Sequence, residues 1–422
     1  DIADVFVEER RDTILEWRDA EVTGVRVVSD AGLSARWRRG REQRLVFETR
    51  ADDAGAREAV RVLRAAAGSE PLPIRPTRDP AAAEAEEDAR AGVVRGRRRL
   101  AALLARHMPR HRLRWTLTET ARQVVLARGE ATLSFSRRLS IEGEFTAASR
   151  RNDETRSFAF HAPDSEAAGD RLREALEAAS APRDKAMPCP DGETDVVLAA
   201  GCAAVFFHEI LSHPGEAGVE SPLSSLVDAH VATQDLEVRD EPGRLDLFGG
   251  YAVDDEGTRP RVVKLLDGGR LAGRLTDRAH RGRAASTGHG RRAGPQDAPL
   301  PRASNVVVAP GHATDEEMAR RLNSGLWIEE LSGGSVELSS GLFRLCFPRA
   351  RRVRRGRLAD EIGPGILSGE ILAALKGIEV GLGRDPRPFR SLGWCARHGS
   401  VVPVGGAAPA VLVRRFAARA GA

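Results

Sequence analysis

A proline-rich segment at residues 180–193 most constrains how this chain folds. Its sequence, SAPRDKAMPCPDGE, holds three prolines and interrupts a regular alternation of strand and helix patterns. Proline restricts its own backbone and that of the preceding residue, so such a segment ends regular structure. The 422 residues also exceed the size at which one hydrophobic core stops growing, about 250–300 residues. We therefore predict two domains, residues 1–185 and 186–422.

The composition is that of a globular protein, with 41% hydrophobic and 30% charged residues. Only three of the 65 basic residues are lysines, and the formal net charge is +4. Arginine-rich segments at 95–100 and 349–357 have the chemistry to bind phosphate, but they contain no interleaved aromatic residues. A solvated surface is therefore favoured over a nucleic-acid interface, and we expect no nucleic-acid partner.

The four cysteines show neither CxxC spacing nor the density of a disulfide framework. Reduced thiols favour a cytoplasmic location. No apolar run approaches the ~18 residues of a membrane span, so we expect no membrane association. The longest run, residues 196–207, is typical of a buried strand–turn–helix. Cys202 on that run and Cys346 in a strand-like pattern are predicted to be core residues, while Cys189 lies in the proline-rich segment.

Strand and helix patterns alternate in the first domain. The predicted helices are 52–68, 80–107 and 164–179, and the predicted strands are 24–30, 44–48, 113–119, 122–128 and 131–137. This order predicts an N-terminal α/β domain.

The second domain is richer in glycine and strands. Residues 261–277 predict a hairpin that turns at Asp267-Gly268-Gly269, and 304–311 predicts a strand. Residues 313–325 predict a short helix that begins with a capping box of Thr314 and Glu317. Further strands are predicted within 325–347. The fold class is thus α+β or mixed α/β, with a C-terminal domain dominated by a twisted antiparallel β-sheet that carries the helix described next.

Residues 205–218, VFFHEILSHPGEAG, place two histidines and a glutamate on an apolar run. Each residue of an α-helix turns about 100°, so His208 and His213 would lie about 140° apart and could not share a metal. Either a π-type bulge absorbs one residue, or the helix ends at its last turn. Pro214 favours the second option, because the residue before a proline avoids the helical region. Taken alone, the segment is more often a buried helix with hydrogen-bonded histidines.

Further segments follow in a characteristic order. They are VRDEPG (238–243), GGYAVDDEGT (249–258), GRLTDR (273–278), TGHGRR (287–292), PRASNVVVAPG (301–311) and CARHGSVVPVGGAAP (395–409). Together with HEILSHPGEAG they resemble the TldD/PmbA family of metalloproteases, and within it the metal-bearing TldD-like members. The resemblance covers residues 190–415 well and the N-terminal half only loosely.

The resemblance implies a zinc site. Its ligands would be His208, His213 and Cys395, and Glu209 would be the catalytic general base or acid. Two histidines and one cysteine leave a fourth coordination position, as catalytic zinc requires. The alternative for Cys395 is a small buried hydrophobic residue.

Other acidic and histidine side chains near the motif remain open. Glu216 is either a residue that orients a ligand histidine or an exposed charge. His230, Asp235 and Glu237 are candidate additional ligands by proximity alone.

The chain also departs from the family pattern. Ile210, Leu211 and Ser212 are bulkier than the residues usual between the two histidines, and Pro214 is unusual there. ARHGS at 396–400 replaces the turn that usually follows the cysteine. Because the ligands are kept, we expect zinc binding with an altered substrate preference.

The resemblance further implies a zinc-dependent peptidase that hydrolyses short, extended or unfolded peptides in an enclosed dimer chamber, for precursor processing or clearance. The peptide would pair with a sheet edge, for which Gly333, Gly334 and Ser335 within 332–341 are the candidate. The alternative for this segment is a plain turn. The partner would be a PmbA-like chain or a second copy. The competing hypotheses are a non-catalytic, PmbA-like scaffold subunit and a nucleic-acid-binding protein.

Overall fold

A computed structural model describes residues 2–421 except 19–20, 40–41, 68–111, 129, 148–153, 164, 181–185, 283, 380 and 390. The predicted helix at 80–107 lies outside the described residues.

The N-terminal sheet is an antiparallel array of long strands. Its strands are β1 (Ile2–Arg18), β2 (Glu21–Arg39), β3 (Glu42–Glu48), β4 (Arg112–Arg128), β5 (Glu130–Ala147) and β6 (Glu154–Ala162). They are arranged in the order β3-β2-β1-β4-β5-β6. Two helices, α1 (Asp53–Ala67) and α2 (Ser165–Ser180), pack on one face of the sheet.

Several N-terminal predictions are confirmed. The predicted strands 24–30 and 44–48 lie within β2 and β3, and the helices predicted at 52–68 and 164–179 are α1 and α2. The separation of 113–119 from 122–128 is wrong, because β4 runs through both. Polar residues at its centre suggested a turn, but Arg122 is instead paired across the interface between the two halves of the protein.

The C-terminal part is built from shorter strands. They are β7 (Gly192–Leu198), β8 (Val238–Asp240), β9 (Val263–Asp267), β10 (Arg270–Leu271), β11 (Gly290–Arg291), β12 (Leu300–Pro301), β13 (Asn305–Val308), β14 (Ser324–Glu330), β15 (Gly333–Glu337), β16 (Leu342–Phe347), β17 (Arg349–Arg354), β18 (Arg357–Ile362), β19 (Gly365–Glu370), β20 (Arg387–Pro388), β21 (Gly393–Arg397), β22 (Ser400–Ala408) and β23 (Val411–Ala420). Its helices are α3 (Cys202–Phe207), a π-helix (His208–Ser212), α4 (His213–Gly215), α5 (Asp315–Leu322) and α6 (Ile371–Gly377).

Two larger sheets enclose the C-terminal core. An eight-stranded sheet has the order β15-β16-β19-β23-β7-β14-β17-β18, and a seven-stranded sheet has the order β10-β9-β8-β13-β22-β20 with β21 beside β22. Most strand pairs are antiparallel, while β7 with β14 and β13 with β22 are parallel. The helix α3 and the π-helix lie within this core, where Phe206, Phe207 and Ile210 are fully buried. The predicted α+β fold class is confirmed.

Local predictions in the C-terminal part also hold. The 261–277 hairpin is β9–β10, and Gly268 and Gly269 have the positive φ angles that its tight turn needs. Thr314 and Glu317 form the expected capping box at the start of α5.

The two halves pack through buried ion pairs. Arg36 on β2 bonds Asp4 on β1 and, at 2.8 Å, Glu256 from the C-terminal part, and all three are buried. Arg122 likewise joins Glu8 to Asp255. One face of the N-terminal sheet therefore carries charges that the C-terminal part neutralises.

Among the described residues, no helix is both long and apolar enough to cross a membrane.

Candidate metal centre

A π-helix brings the two motif histidines together. The backbone N–H of His213 donates to the carbonyl of His208, which is the five-residue bond of a π-helix. His213 itself has helical angles, φ −60° and ψ −50°. The expectation that Pro214 breaks the helix before His213 is therefore wrong, and the alternative of a π-type bulge is the one observed. Pro214 instead lies in the first turn of the short helix α4, where proline is tolerated.

The ring centroids of His208 and His213 are 4.7 Å apart. Cys395 reaches them from β21, with its Sγ 3.4 Å from Nε2 of His213. One ligand atom from each of the three side chains lies within 4.8 Å of the others. All three predicted ligands thus meet, although His213 and Cys395 are separated by 182 positions in the chain.

The neighbouring charges favour a thiolate in this centre. Burial raises the pKa of the Cys395 thiol, but hydrogen bonds and positive charge from His208 and His213 outweigh burial and lower it overall. Burial lowers the pKa of His213, while Cys395, Glu216 and Glu209 raise it overall. The thiolate is the form of cysteine that binds metals, and metal binding would displace the proton that these charges favour on His213.

The donor set fits a zinc ion. Thiolate and imidazole bind zinc at about 2.0–2.3 Å, which places tetrahedral ligand atoms about 3.3–3.8 Å apart. The 3.4 Å between Cys395 Sγ and His213 Nε2 agrees with that spacing. In addition, Nδ1 of His208 is buried and has no hydrogen-bond partner within the described part of the chain. This ring nitrogen is therefore available to bind a metal ion.

Glu209 faces the same cavity as the three ligands. The cavity has a volume of about 580 Å³ and is also lined by residues of β15 and β21. A Cβ atom on Gly334 would lie only 2.7 Å from Cγ of Glu209, so β15 passes directly over this side chain. β15 is the terminal strand of the eight-stranded sheet and pairs with β16 on one side. Gly333, Gly334 and Ser335 therefore form an edge strand beside the centre, and the turn that was the alternative for 332–341 is confined to residues 338–341.

Glu216 is completely buried, so the alternative of an exposed charge is wrong. Its Oε1 accepts a bond from the backbone N–H of Ala303 (3.1 Å) and lies 3.9 Å from Nδ1 of His213. Its Oε2 accepts a bond from Arg397 (2.6 Å).

The remaining candidate ligands lie elsewhere. Within the described ranges, the potential metal cluster consists of the two histidines and Cys395, without His230, Asp235 or Glu237. Cys202 and Cys189 are buried. The prediction that Cys346 is a core residue is wrong, because alternation along β16 places it on the exposed face.

Two arginines at the centre were not found by sequence reasoning. Arg302 contacts Cys395, and Arg397 lines the cavity and bonds Glu216. Both belong to quoted motifs, PRASN and CARHGS. Their position within those motifs was the feature of the sequence that could have identified them.

Other motif residues build the scaffold around the centre. Asp240 accepts bonds from the backbone N–H and hydroxyl of Ser304, and its Oδ1 lies 3.1 Å from Nε2 of His289. All three are buried, so three of the quoted segments are held together in one polar network.

Two imidazoles and one thiolate meet beside a carboxylate in an α+β fold, which is a donor set typical of a protein metal site. Residues 191–419, more than half of the chain, match the model of the PmbA/TldA metallopeptidase C-terminal domain. The chain belongs to the TldD/PmbA family.

Relatives agree with this assignment. A metalloprotease from Methanothermobacter thermautotrophicus is 32% identical over 237 residues, covering 54% of this chain and 51% of the relative. A zinc metalloprotease TldD homolog from Saccharolobus solfataricus is 28% identical over 232 residues, covering 53% and 51%. The matched part of the chain spans about half the length of these curated relatives.

The similarity of fold extends further than that of sequence. The structure of TldE from Thermococcus kodakarensis superposes with a TM-score of 0.70 at 15% identity, and the match covers 99% of this chain and 96% of that one.

Proposed function

We propose that this protein is a zinc-dependent peptidase that hydrolyses short, extended or unfolded peptides. The observation that supports it most directly is the convergence of His208, His213 and Cys395 in one cavity with Glu209. Zinc held there would act as a Lewis acid toward the scissile carbonyl and the attacking water.

The chain's own groups supply the proton transfers. Glu209 follows the ligand His208 directly in the π-helix, and its carboxylate faces the cavity. It accepts a proton from the attacking water and passes it to the amine of the leaving product.

The edge strand supplies substrate binding. Among the described strands, β15 pairs only with β16, and it lines the cavity, so an extended peptide bound there would add one strand to the sheet. Because the bonds are to backbone groups, the sequence preference is weak. Folded proteins cannot present such a strand.

We also propose that the site works inside a dimer, formed with a PmbA-like chain or with a second copy. Light scattering of the purified chain, alone and with a co-expressed PmbA-like protein, distinguishes the two.

Zinc content is the first test. We expect about one zinc per chain in the wild type by inductively coupled plasma mass spectrometry, and its loss in Cys395→Ala and His213→Ala. Cys346→Ala is the matched control, because Cys346 is exposed and outside the centre. A wild type without zinc after reconstitution would instead support a non-catalytic scaffold.

Cleavage of a short fluorogenic peptide is the second test. Glu209→Gln removes the base but no ligand, so we expect normal zinc content and a rate lower by about 10²–10⁴-fold. Wild-type activity in this variant would exclude Glu209 as the base.

A further inference from the structure

Arg302 is a fully buried arginine outside the set of metal ligands. It lies between β12 and β13, and its backbone N–H donates to the carbonyl of His289 (3.0 Å). A buried guanidinium is costly unless its charge and its donors are matched. Its partners therefore indicate what the buried charge does.

Two of these partners belong to Cys395. Nη2 of Arg302 donates to the carbonyl oxygen of Cys395 (2.6 Å) and to its Sγ (3.1 Å). Nη1 donates to the carbonyl of Ser400 (3.1 Å) on the paired strand β22. One planar group thus fixes both the main chain and the side-chain rotamer of Cys395, and it holds the β21–β22 hairpin in place.

A second negative charge near Arg302, besides the Cys395 sulfur, comes from the other side of the centre. Oε1 of Glu216 lies 3.6 Å from Nε of Arg302 and 3.9 Å from Nδ1 of His213. Glu216 directly follows α4, whereas Cys395 lies on β21. The Glu216–Arg302 pair therefore connects the helical ligand to the strand ligand through buried charges.

We propose that Arg302 is a positioning residue for the metal centre. It holds the Cys395 sulfur at its distance from the two histidines, and Glu216, which also pairs with Arg397, offsets part of its charge. This inference rests on the proposed zinc site. Groups that orient metal ligands typically contribute about 10–100-fold to metal affinity.

The test is zinc affinity, measured by competition with a chromophoric chelator. Arg302→Met keeps an unbranched apolar stem and removes the guanidinium with its bonds, and we expect binding about 10–100-fold weaker than in the wild type. Arg291→Met is the matched control. Arg291 is also buried, and it donates to the carbonyls of Ala303, next to Arg302, and of Pro403 on β22, which are not atoms of Cys395. Its substitution should leave zinc affinity close to the wild-type value.

Cobalt substitution gives a readout that a general packing defect would not produce. The sulfur-to-cobalt charge-transfer band reports the contact of Cys395 with the metal. We expect the band to shift or weaken in Arg302→Met and to stay unchanged in Arg291→Met. An equal loss in both variants would overturn the specific role of Arg302.

Arg302→Lys keeps the test decisive if the methionine variant does not fold. Lysine retains the charge but has one nitrogen in place of the planar fork whose two nitrogens bond Cys395 and Ser400, so we expect an affinity below that of the wild type. Wild-type affinity in either folded variant would overturn the positioning role alone. Absence of zinc binding by the wild type would overturn the proposed peptidase as well, so the two failures are distinguishable.

Discussion

At the scale of single residues, position 334 determines how closely β15 approaches Glu209. A Cβ atom on Gly334 would meet Glu209 Cγ at 2.7 Å and Oε1 at 3.0 Å, both too close for undisturbed packing. A Cβ atom on the neighbouring Gly333 would meet nothing within 4 Å. Only one of the two glycines is therefore required for this approach of backbone to side chain.

Gly334→Ala is accordingly expected to displace the Glu209 carboxylate. Because a glutamate side chain is flexible, we expect little loss of stability and unchanged zinc content. Peptide hydrolysis should fall, by up to about 100-fold if the carboxylate moves by about 1 Å. The measurement is kcat/KM for a fluorogenic peptide, with Gly333→Ala as control. Equal activity of the two variants would contradict this account of Gly334.

At the scale of secondary-structure elements, the π-helix is the feature that brings the two motif histidines to one side of the backbone. It buries all five of its residues and places His213 one wide turn after His208. The sequence predicted which side chains meet, and it limited the backbone to two solutions. It could not choose between them, because the choice depends on packing of Ile210 and Leu211 in a core whose other side chains come from distant strands.

This geometry gives Pro214 a small role. Since His213 is already helical and its N–H bonds His208, the π-turn does not need the proline. We expect Pro214→Ala to lower the free energy of unfolding by about 0.4–1 kcal/mol through the more flexible unfolded chain. Its zinc affinity should stay close to the wild-type value, as measured by chelator competition beside His213→Ala. A loss of about tenfold or more, typical of removing a group that orients a ligand, would show that the proline shapes the turn after all.

Other elements show where sequence patterns succeed and fail. The β9–β10 hairpin and the capped helix α5 are specified by their own residues, so the sequence predicted both. Alternation in β16 was also visible, but it could not show which face is buried, and Cys346 was assigned to the wrong one. The edge position of β15 depends on the order of the whole sheet, which a local pattern does not contain.

At the scale of the whole molecule, the N-terminal sheet packs on the C-terminal part through ion pairs. The partners in these pairs cannot be identified from the sequence. Arg36 and Glu256 are 220 positions apart, and Arg122 and Asp255 are 133 apart. The sequence analysis predicted no strand before residue 24, and β1 carries the buried charges Asp4 and Glu8, which local patterns do not associate with a buried strand. Arg302 was missed in the same way, because its partners Glu216 and Cys395 are distant in the chain. Buried charges become interpretable only when both partners are known.

The same interface predicts a dependence of stability on pH. His161 on β6 is buried, with its ring 5.4 Å from that of Phe248 in the C-terminal part. Burial lowers the pKa of His161 from its ordinary 6.5 to about 4, despite a hydrogen bond with the carbonyl of Leu139. The unfolded chain therefore takes up a proton below pH 6.5 that the folded protein refuses until about pH 4. The stability due to neutral His161 is complete above pH 6.5 and is lost as the pH falls toward 4.

The difference between those two pKa values amounts to about 3 kcal/mol. We expect the urea midpoint, followed by tryptophan fluorescence with a chelator present, to fall between pH 7 and 4.5 more steeply in the wild type than in His161→Asn. Asparagine keeps a donor for the Leu139 carbonyl but does not titrate in this range. His230→Asn is the control, because His230 is exposed and its substitution should leave the wild-type slope unchanged. Parallel slopes for wild type and His161→Asn would mean that the His161 ring is hydrated, and that this part of the contact between the two halves opens to water in solution.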